Sequence, residues 1–426
     1  MLNKKAKDAI SNVYFGNAGI KPLLKAIASL QYNDRDYFQV KSKLINELGY
    51  INDSSSQTEV IDGLKQVYES VRDTSSFQNA VFKSLARNKS NKSYALLKVL
   101  LIQDPPVFET SDDYNALFAQ ISDSLSLAAT LFPDLLQLST VDDYKDNIRN
   151  LLAWLVDSNY LKAHDYESYY DKLFFDARIE LKKQQARDEK KLQKKPEDGR
   201  NADAYSNVEP GTEDDNNVLD DYAILLAPFY DKNIQVPEFF HRLLGSADMN
   251  LRLNTLVVLL RANRSVPDSV IESLAASDRY RSRLWKDLES IQQQNKFPAK
   301  YRRQEDIARS QLVRSRPGDD FYAIEYVAKE LVRQRRDSGY VYFFRYKMNR
   351  DDDWLMGLSG FQPSDPSIIG SNDAMVKLTN KKIKSEEPVL DQFREQLKKI
   401  IFSKHKSAAS FYFENDYYLP RADDED

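Results

Sequence analysis

The chain has 426 residues, 42% hydrophobic and 30% charged, with a net charge of −4. That is ordinary for folded protein and leaves room for two or three domains or one elongated repeat array. No cysteine is present, which excludes disulfides, thiol nucleophiles, iron–sulfur clusters and cysteine zinc sites together. The slightly acidic balance argues against a general nucleic-acid binder. Glycine is scarce, 12 residues against an average usage of roughly 7%, so phosphate-cradling loops are not expected and helices are.

The start, MLNKKAKDAISNVYF, lacks the apolar region of a signal peptide, and no stretch approaches the ~18 apolar residues of a membrane span. An abrupt helical start without cysteine suits part of a larger exported bacterial protein, periplasmic or at the cell surface, better than a cytoplasmic one.

Along the chain, 19–30 reads as an amphipathic helix. Three later stretches then share a pattern. With Val40, Phe77 and Leu251 as first core positions, the positions four and eight later are Leu44 and Leu48, Val81 and Leu85, and Thr255 and Leu259. Thr255 breaks the pattern unless Leu256 turns inward instead. Positions twenty and twenty-four later are Val60 and Leu64, Leu97 and Leu101, and Ile271 and Ala275. Asp36, Asp73 and Asp248 stand just before each unit, where Asp suits a helix N-cap. Polar turns at 51–57, 88–92 and 263–267 separate the two helices of each unit.

This pattern resembles HEAT and armadillo-type helical repeats, with Lys41 and Arg252 at the early basic position and Gln78 there in the second unit. About a quarter of the chain carries it clearly. The resemblance implies a mostly α fold, a HEAT-like α-solenoid of stacked helix pairs in two blocks, and no particular activity.

Further helices are expected over 112–132, 141–158 and 165–185. Pro105 and Pro106 force a corner at 104–108, and Pro133 is expected to open a short helix. Residues 181–195 carry seven basic and two acidic residues, and 197–221 carry nine acidic residues and one Arg. The domain reading is a first helical block over 1–195, a flexible acidic linker over 196–217, a second block over 218–316 and a small α+β cap over 317–426. In the cap, 339–348 and 354–361 read as strands joined by a turn at 349–353. Residues 322–333 fit a helix and a strand equally. A helix over 388–402 presents Leu390, Phe393, Leu397 and Ile400, and is expected to cover the row Tyr340, Tyr342, Phe344, Tyr346 and Met348.

Chemistry-bearing residues are sparse. His164, His241 and His405 lie far apart in sequence with no His at i+3 or i+4, so no metal and no cofactor is expected. Asp351, Asp352 and Asp353 lack the glycine and distal Glu of a calcium loop and suit a hairpin tip. No nucleophile elbow or zinc-protease motif occurs, and no catalytic residues are assigned.

The stretch 296–316 carries seven basic and two acidic residues. It supplies an anionic-partner patch of Lys300, Arg302, Arg303, Arg309, Arg314 and Arg316, whose bland reading is a solvated helix face or a partner for the acidic linker. The sequence thus points to a non-catalytic scaffold that binds a protein partner rather than nucleic acid. The alternative is a HEAT-like enzyme acting on nucleic acid, of the DNA-glycosylase type, using Trp154, Trp285 and the basic stretch.

Overall fold

The computed structural model describes residues 17–32, 36–51, 53–71, 75–103, 111–193, 218–316, 321–334, 337–350, 352–371, 376–404 and 411–413. They form a mostly helical protein with a small C-terminal antiparallel sheet. The contacts divide the chain into two compact units, 1–176 with 224–229, and 177–223 with 230–426. The corner at 104–108, Asp73, Asp351, His405 and the whole acidic stretch 196–217 lie outside the described residues. Among the described residues no helix is long and apolar enough to cross a membrane.

In the first unit the helices are α1 (Ile20–Ser29), α2 (Tyr37–Leu48), α3 (Gln57–Ser70), α4 (Ser75–Asn88), α5 (Asn91–Gln103), α6 (Ser111–Ser122), α7 (Leu125–Leu135) and α8 (Asp142–Asp157). Each packs on its second neighbour: α2 on α4, α4 on α6 and α6 on α8, and likewise α1 on α3, α3 on α5 and α5 on α7. The apolar positions aligned in the sequence drive this packing, because Val40, Leu44, Leu48, Phe77, Val81, Leu85, Val60, Leu64, Leu97 and Leu101 are all buried.

Polar ties fix the stacking at repeat-like separations. The Asn88 amide donates to the Ile51 carbonyl at 3.0 Å, 37 residues back. Ser84 Oγ donates to the Ile45 carbonyl at 3.0 Å. Gly49 admits the same approach, since a Cβ there would lie 2.8 Å from the Ser84 backbone.

Several expectations change. Residues 112–132 are two helices, because Ile121's carbonyl, which would continue α6, instead accepts from the Tyr94 hydroxyl at 3.1 Å and from Ser124 N at 3.3 Å. Pro133 lies inside the last turn of α7 rather than opening a helix; there its missing N–H costs one bond while Phe132 and Leu135 stay buried. Asp36 adopts φ 60° and makes no side-chain cap, whereas Asp248 caps its helix by accepting from Asn250 N and Leu251 N. The helix expected from 165 begins at Tyr170, after two 3-10 turns.

Helices α9 (Tyr170–Gln193) and α10 (Val218–Leu226) follow, and the second unit continues with α11 (Gln235–Leu244), α12 (Met249–Arg261), α13 (Asp268–Ala276), α14 (Arg281–Ser290) and α15 (Gln304–Arg314). Thr255 and Leu256 are both buried, so α12 turns a broader face inward than the aligned positions imply. A buried ionic node joins α13, α14 and α15. Asp278 pairs with Arg281, and with Arg309 at 3.1 Å. Arg281, 2% exposed, also donates to the carbonyls of Ala275 at 2.7 Å, Ala276 at 2.9 Å and Asp306 at 3.2 Å.

The sheet comprises β1 (Ala323–Gln334), β2 (Asp337–Lys347), β3 (Leu355–Pro363), β4 (Lys377–Lys382) and β5 (Phe411–Phe413), in the order β4-β3-β2-β1-β5. The ambiguous 322–333 is therefore strand, paired antiparallel to β2 from Ala323↔Lys347 to Gln334↔Asp337. The aromatic row on β2 is buried, but not under the helix expected to cover it. Tyr342, Phe344 and Tyr346 pack with Phe321, Ile324 and with Ala308, Leu312 and Val313 of α15. The C-terminal helix α16 (Val389–Lys404) covers the opposite face, where Phe393, Leu397 and Ile400 meet Val332, Val341, Phe343, Met356 and Leu358. The Phe343 and Phe393 rings stack with centroids 5.1 Å apart. Alternate strand residues point to opposite faces, and both faces of β2 are apolar because both are covered.

Gln304 fastens α15 to the sheet region. Its Nε2 donates to the carbonyls of Pro363, Asp365 and Ile368 at 2.9, 2.9 and 2.6 Å, and its Oε1 accepts from the Tyr342 hydroxyl at 2.9 Å. At the hairpin tip Asp352 accepts from Asn349 N at 2.8 Å and Asp353 pairs with Lys382 at 2.6 Å.

Removing one partner of a buried ion pair leaves an uncompensated charge. Asp278→Ala is therefore expected to lower the unfolding free energy by roughly 3–5 kcal/mol, measured by chemical denaturation. A loss no larger than that of Arg242→Ala, which breaks the exposed Glu238 pair, would remove the node from the account of stability.

Candidate functional site

The polar flanks of α2, α4 and α6 enclose a cleft of about 240 Å³ in the first unit, lined by Ser42, Asn46, Ser75, Ser76, Asn79, Ala80, Lys83 and Asp113. Helical spacing creates it: Ser42 and Asn46, and Asn79 and Lys83, are four residues apart and share a face. Asn79, only 7% exposed, donates to Asp113 Oδ1, which also pairs with Lys83 at 3.3 Å. The Oδ1 atoms of Asn46 and Asn79 are buried with no hydrogen-bond partner among the described residues. Two amide oxygens of cleft-lining residues are therefore buried without a partner, which costs stability at this seam.

At the start of α2 the cleft adjoins an aromatic cluster. Phe38 stacks on the buried Phe77 at 5.5 Å, Tyr37 meets Phe77 edge-on at 5.4 Å, and Tyr32, 73% exposed, contacts Phe38 at 5.7 Å. Lys41 Nζ lies 5.2 Å from the ring centroids of both Tyr37 and Phe77, and donates to the Tyr37 hydroxyl at 3.1 Å. The Lys41 position, singled out in the sequence, thus holds aromatics rather than an anion. Asn46 and Asn79 were not singled out; their signal was an amide at i+4 spacing from a small or basic polar residue beside an apolar stripe.

A second polar ladder crosses α10, α12 and α14. Asp220 Oδ2 accepts from Asn254 Nδ2 at 2.8 Å. The Arg283 guanidinium then donates to Asn254 Oδ1 at 2.8 Å and Asn250 Oδ1 at 2.9 Å. Burial, reinforced by Asp248 and Asp221 and opposed by the Asn254 bond and Arg283, pushes the Asp220 carboxyl from its ordinary 3.8 up to about 7.

The basic stretch is divided among local partners. Lys300 pairs with Glu272 and lies over the Tyr301 ring. Arg302 donates to the carbonyls of Gln294 and Phe297 at 2.9 and 2.8 Å and lies 5.8 Å from the Trp285 ring centroid. Arg303 grips Asp306 at 2.7 and 3.0 Å, and Arg309 joins the Asp278 node. Burial pushes the Asp287 carboxyl of α14 up, and Arg283 and Arg314 oppose that push; Arg316 is half-buried just beyond α15. Trp285 is buried edge-on against Phe297 at 5.2 Å, and Trp154 is exposed in the other unit.

His164 lies on the surface 3.2 Å from Asp165. His241 lines a cleft of about 500 Å³ with Tyr230, Phe240, Pro267 and Asp268. Among the described residues no group of three or more His, Asp or Glu is placed to hold a metal ion. Comparisons with protein-family models, curated proteins and solved structures gave no match.

A carboxyl whose folded-state pKa lies above its unfolded value stabilises the fold while protonated, and that contribution is lost as pH rises from about 4 through about 7. Asp220→Asn is expected to flatten the fall in stability across this window and to raise stability at pH 8 by on the order of 2 kcal/mol. Denaturation midpoints at pH 5 and pH 8 measure both effects, and an unchanged difference between them would contradict the assignment to Asp220.

Proposed function

We propose that the chain is a non-catalytic helical-repeat protein, of HEAT or armadillo-like α-solenoid character, that binds an extended segment of a protein partner in the cleft over α2, α4 and α6. The observation that carries this reading is the polar cleft of about 240 Å³ that the flanks of α2, α4 and α6 enclose. Main-chain N–H and C=O groups of an extended peptide can pair with the hydroxyl, amide, Lys83 and Asp113 side chains that line it, and they are sequence-independent. Packing on second neighbours supports a repeat architecture, since stacked helix pairs form long surfaces of this sort. The exposed Tyr32 and Phe38 beside the cleft supply apolar anchors for partner side chains.

Chemistry in the cleft would need an activated group. Its lining offers hydroxyls, amides and one Lys–Asp pair, with no imidazole to act as base. Trp285, required by the nucleic-acid alternative, is committed to packing against Phe297 and beneath Arg302.

Ser76 is exposed at the cleft, so Ser76→Trp fills it without disturbing the core. In capture experiments from cell extract and from envelope fractions, the intact chain is expected to retain a protein at high salt. Ser76→Trp is expected to lose it by about tenfold. Recovery of nucleic acid that disappears at high salt, with no protein retained, would replace this reading with the nucleic-acid one.

A further inference from the structure

The two edges of the sheet are built differently. An edge strand presents unpaired N–H and C=O groups on which another strand can add. On β4 that edge is blunted by charge, because its six residues include Lys377, Lys381 and Lys382. On the other side β5 pairs with β1 only from Val332↔Phe413 to Gln334↔Phe411. The rest of β1, 323–331, has no strand beyond it among the described residues. This open part reads AIEYVAKEL, with a single Lys, and Tyr322 and Tyr326 beside it are 51% and 42% exposed.

We propose that the chain's own residues 414–419 continue β5 along this open edge of β1 and close it. The residues after Phe413 read ENDYYLP. One step along each strand, in opposite directions from Val332↔Phe413, sets Leu331 against Glu414, Glu330 against Asn415, Lys329 against Asp416 and Ala328 against Tyr417. Opposite charges then meet at Lys329 and Asp416. Lys329 Nζ lies 4.1 Å from the Tyr340 ring centroid and has no carboxylate partner among the described residues.

Charge also fixes the register. A slip of one residue either way sets Glu330 against Glu414 or Asp416, and like charges directly opposite destabilise a pair. Glu330 is 6% exposed, where water screens that repulsion little. Tyr417, Tyr418 and Leu419 suit a strand, and Pro420, which has no N–H to donate, ends the ladder. Covalent continuity with β5 gives this segment an effective concentration that a separate strand must overcome. The occupant of the edge is therefore the chain itself, rather than a second copy. The site is independent of the cleft over α2, α4 and α6.

The chain contains no cysteine, so an introduced pair reports alone. Residues directly opposite on antiparallel strands have Cα atoms about 4.5–5.5 Å apart, within disulfide reach. Under mild oxidation Lys329→Cys/Asp416→Cys is expected to form a disulfide within one chain. It should form about tenfold faster than in Lys329→Cys/Asn415→Cys, whose second thiol falls on the other face of the sheet. Equal rates, or no disulfide in either variant, overturn the proposal. Disulfides between chains overturn it in favour of a second copy. Hydrogen exchange on the chain ended at Phe413 gives a readout without cysteines. Amides of 323–331 are expected to exchange faster than in the full chain, while those of β2 stay protected and so verify folding. Unchanged exchange over 323–331 overturns the proposal as well.

Discussion

A short amphipathic helix is marginal in water; below about 12–15 residues it persists only when its apolar face is covered. Most helices here are that short, and none supplies its own cover. Each is therefore held by neighbours before and after it, and the second-neighbour packing of α1 through α8 is the direct outcome. Polar groups on the flanks of such helices end up at the seams between neighbours. There they pair across the seam, as the Asn88 amide does with the Ile51 carbonyl and the Asn79 amide with Asp113. Stability and the candidate binding cleft thus arise from one constraint acting on adjacent residues.

The same demand shapes the C-terminal region. A two-sided apolar strand such as β2 needs covering on both faces, and α15 and α16 provide it, one on each side. Gly357 permits the close approach of Leu312 from α15, where a Cβ would come within 2.7 Å. Gln304 then satisfies carbonyls that this packing removes from water. Helix and sheet are joined by apolar contact and a satisfied polar network together, which is why they fall in one compact unit.

Charge follows a parallel logic. A linear count over 296–316 shows an excess of cations, yet folding distributes them to Glu272, Asp306 and Asp278, of which only Asp306 falls within the counted stretch. Arg283 meets Asn250 and Asn254, 33 and 29 positions away in the chain, only because α14 packs on α12. Desolvation acts through the same packing: Asp220 looks like any helix-start carboxylate until α12 and α14 close over it.

The sequence by itself determined where most helices lie and which residues they bury, because a 3.6-residue period is imposed locally and every aligned position from Val40 to Ala275 found the core. It also determined the β2 and β3 strands, whose aromatic and β-branched composition suits a pleated surface. It left 322–333 open, since the choice of strand over helix there comes from pairing with β2, a partner the local pattern does not contain. Tertiary structure alone decided which helix covers the Tyr342 row, that Tyr94 would end α6, and that Asn46 and Asn79 would share a cleft. Each of these depends on contacts between residues remote in the chain, and periodicity records a residue's face while remaining silent about what that face will meet.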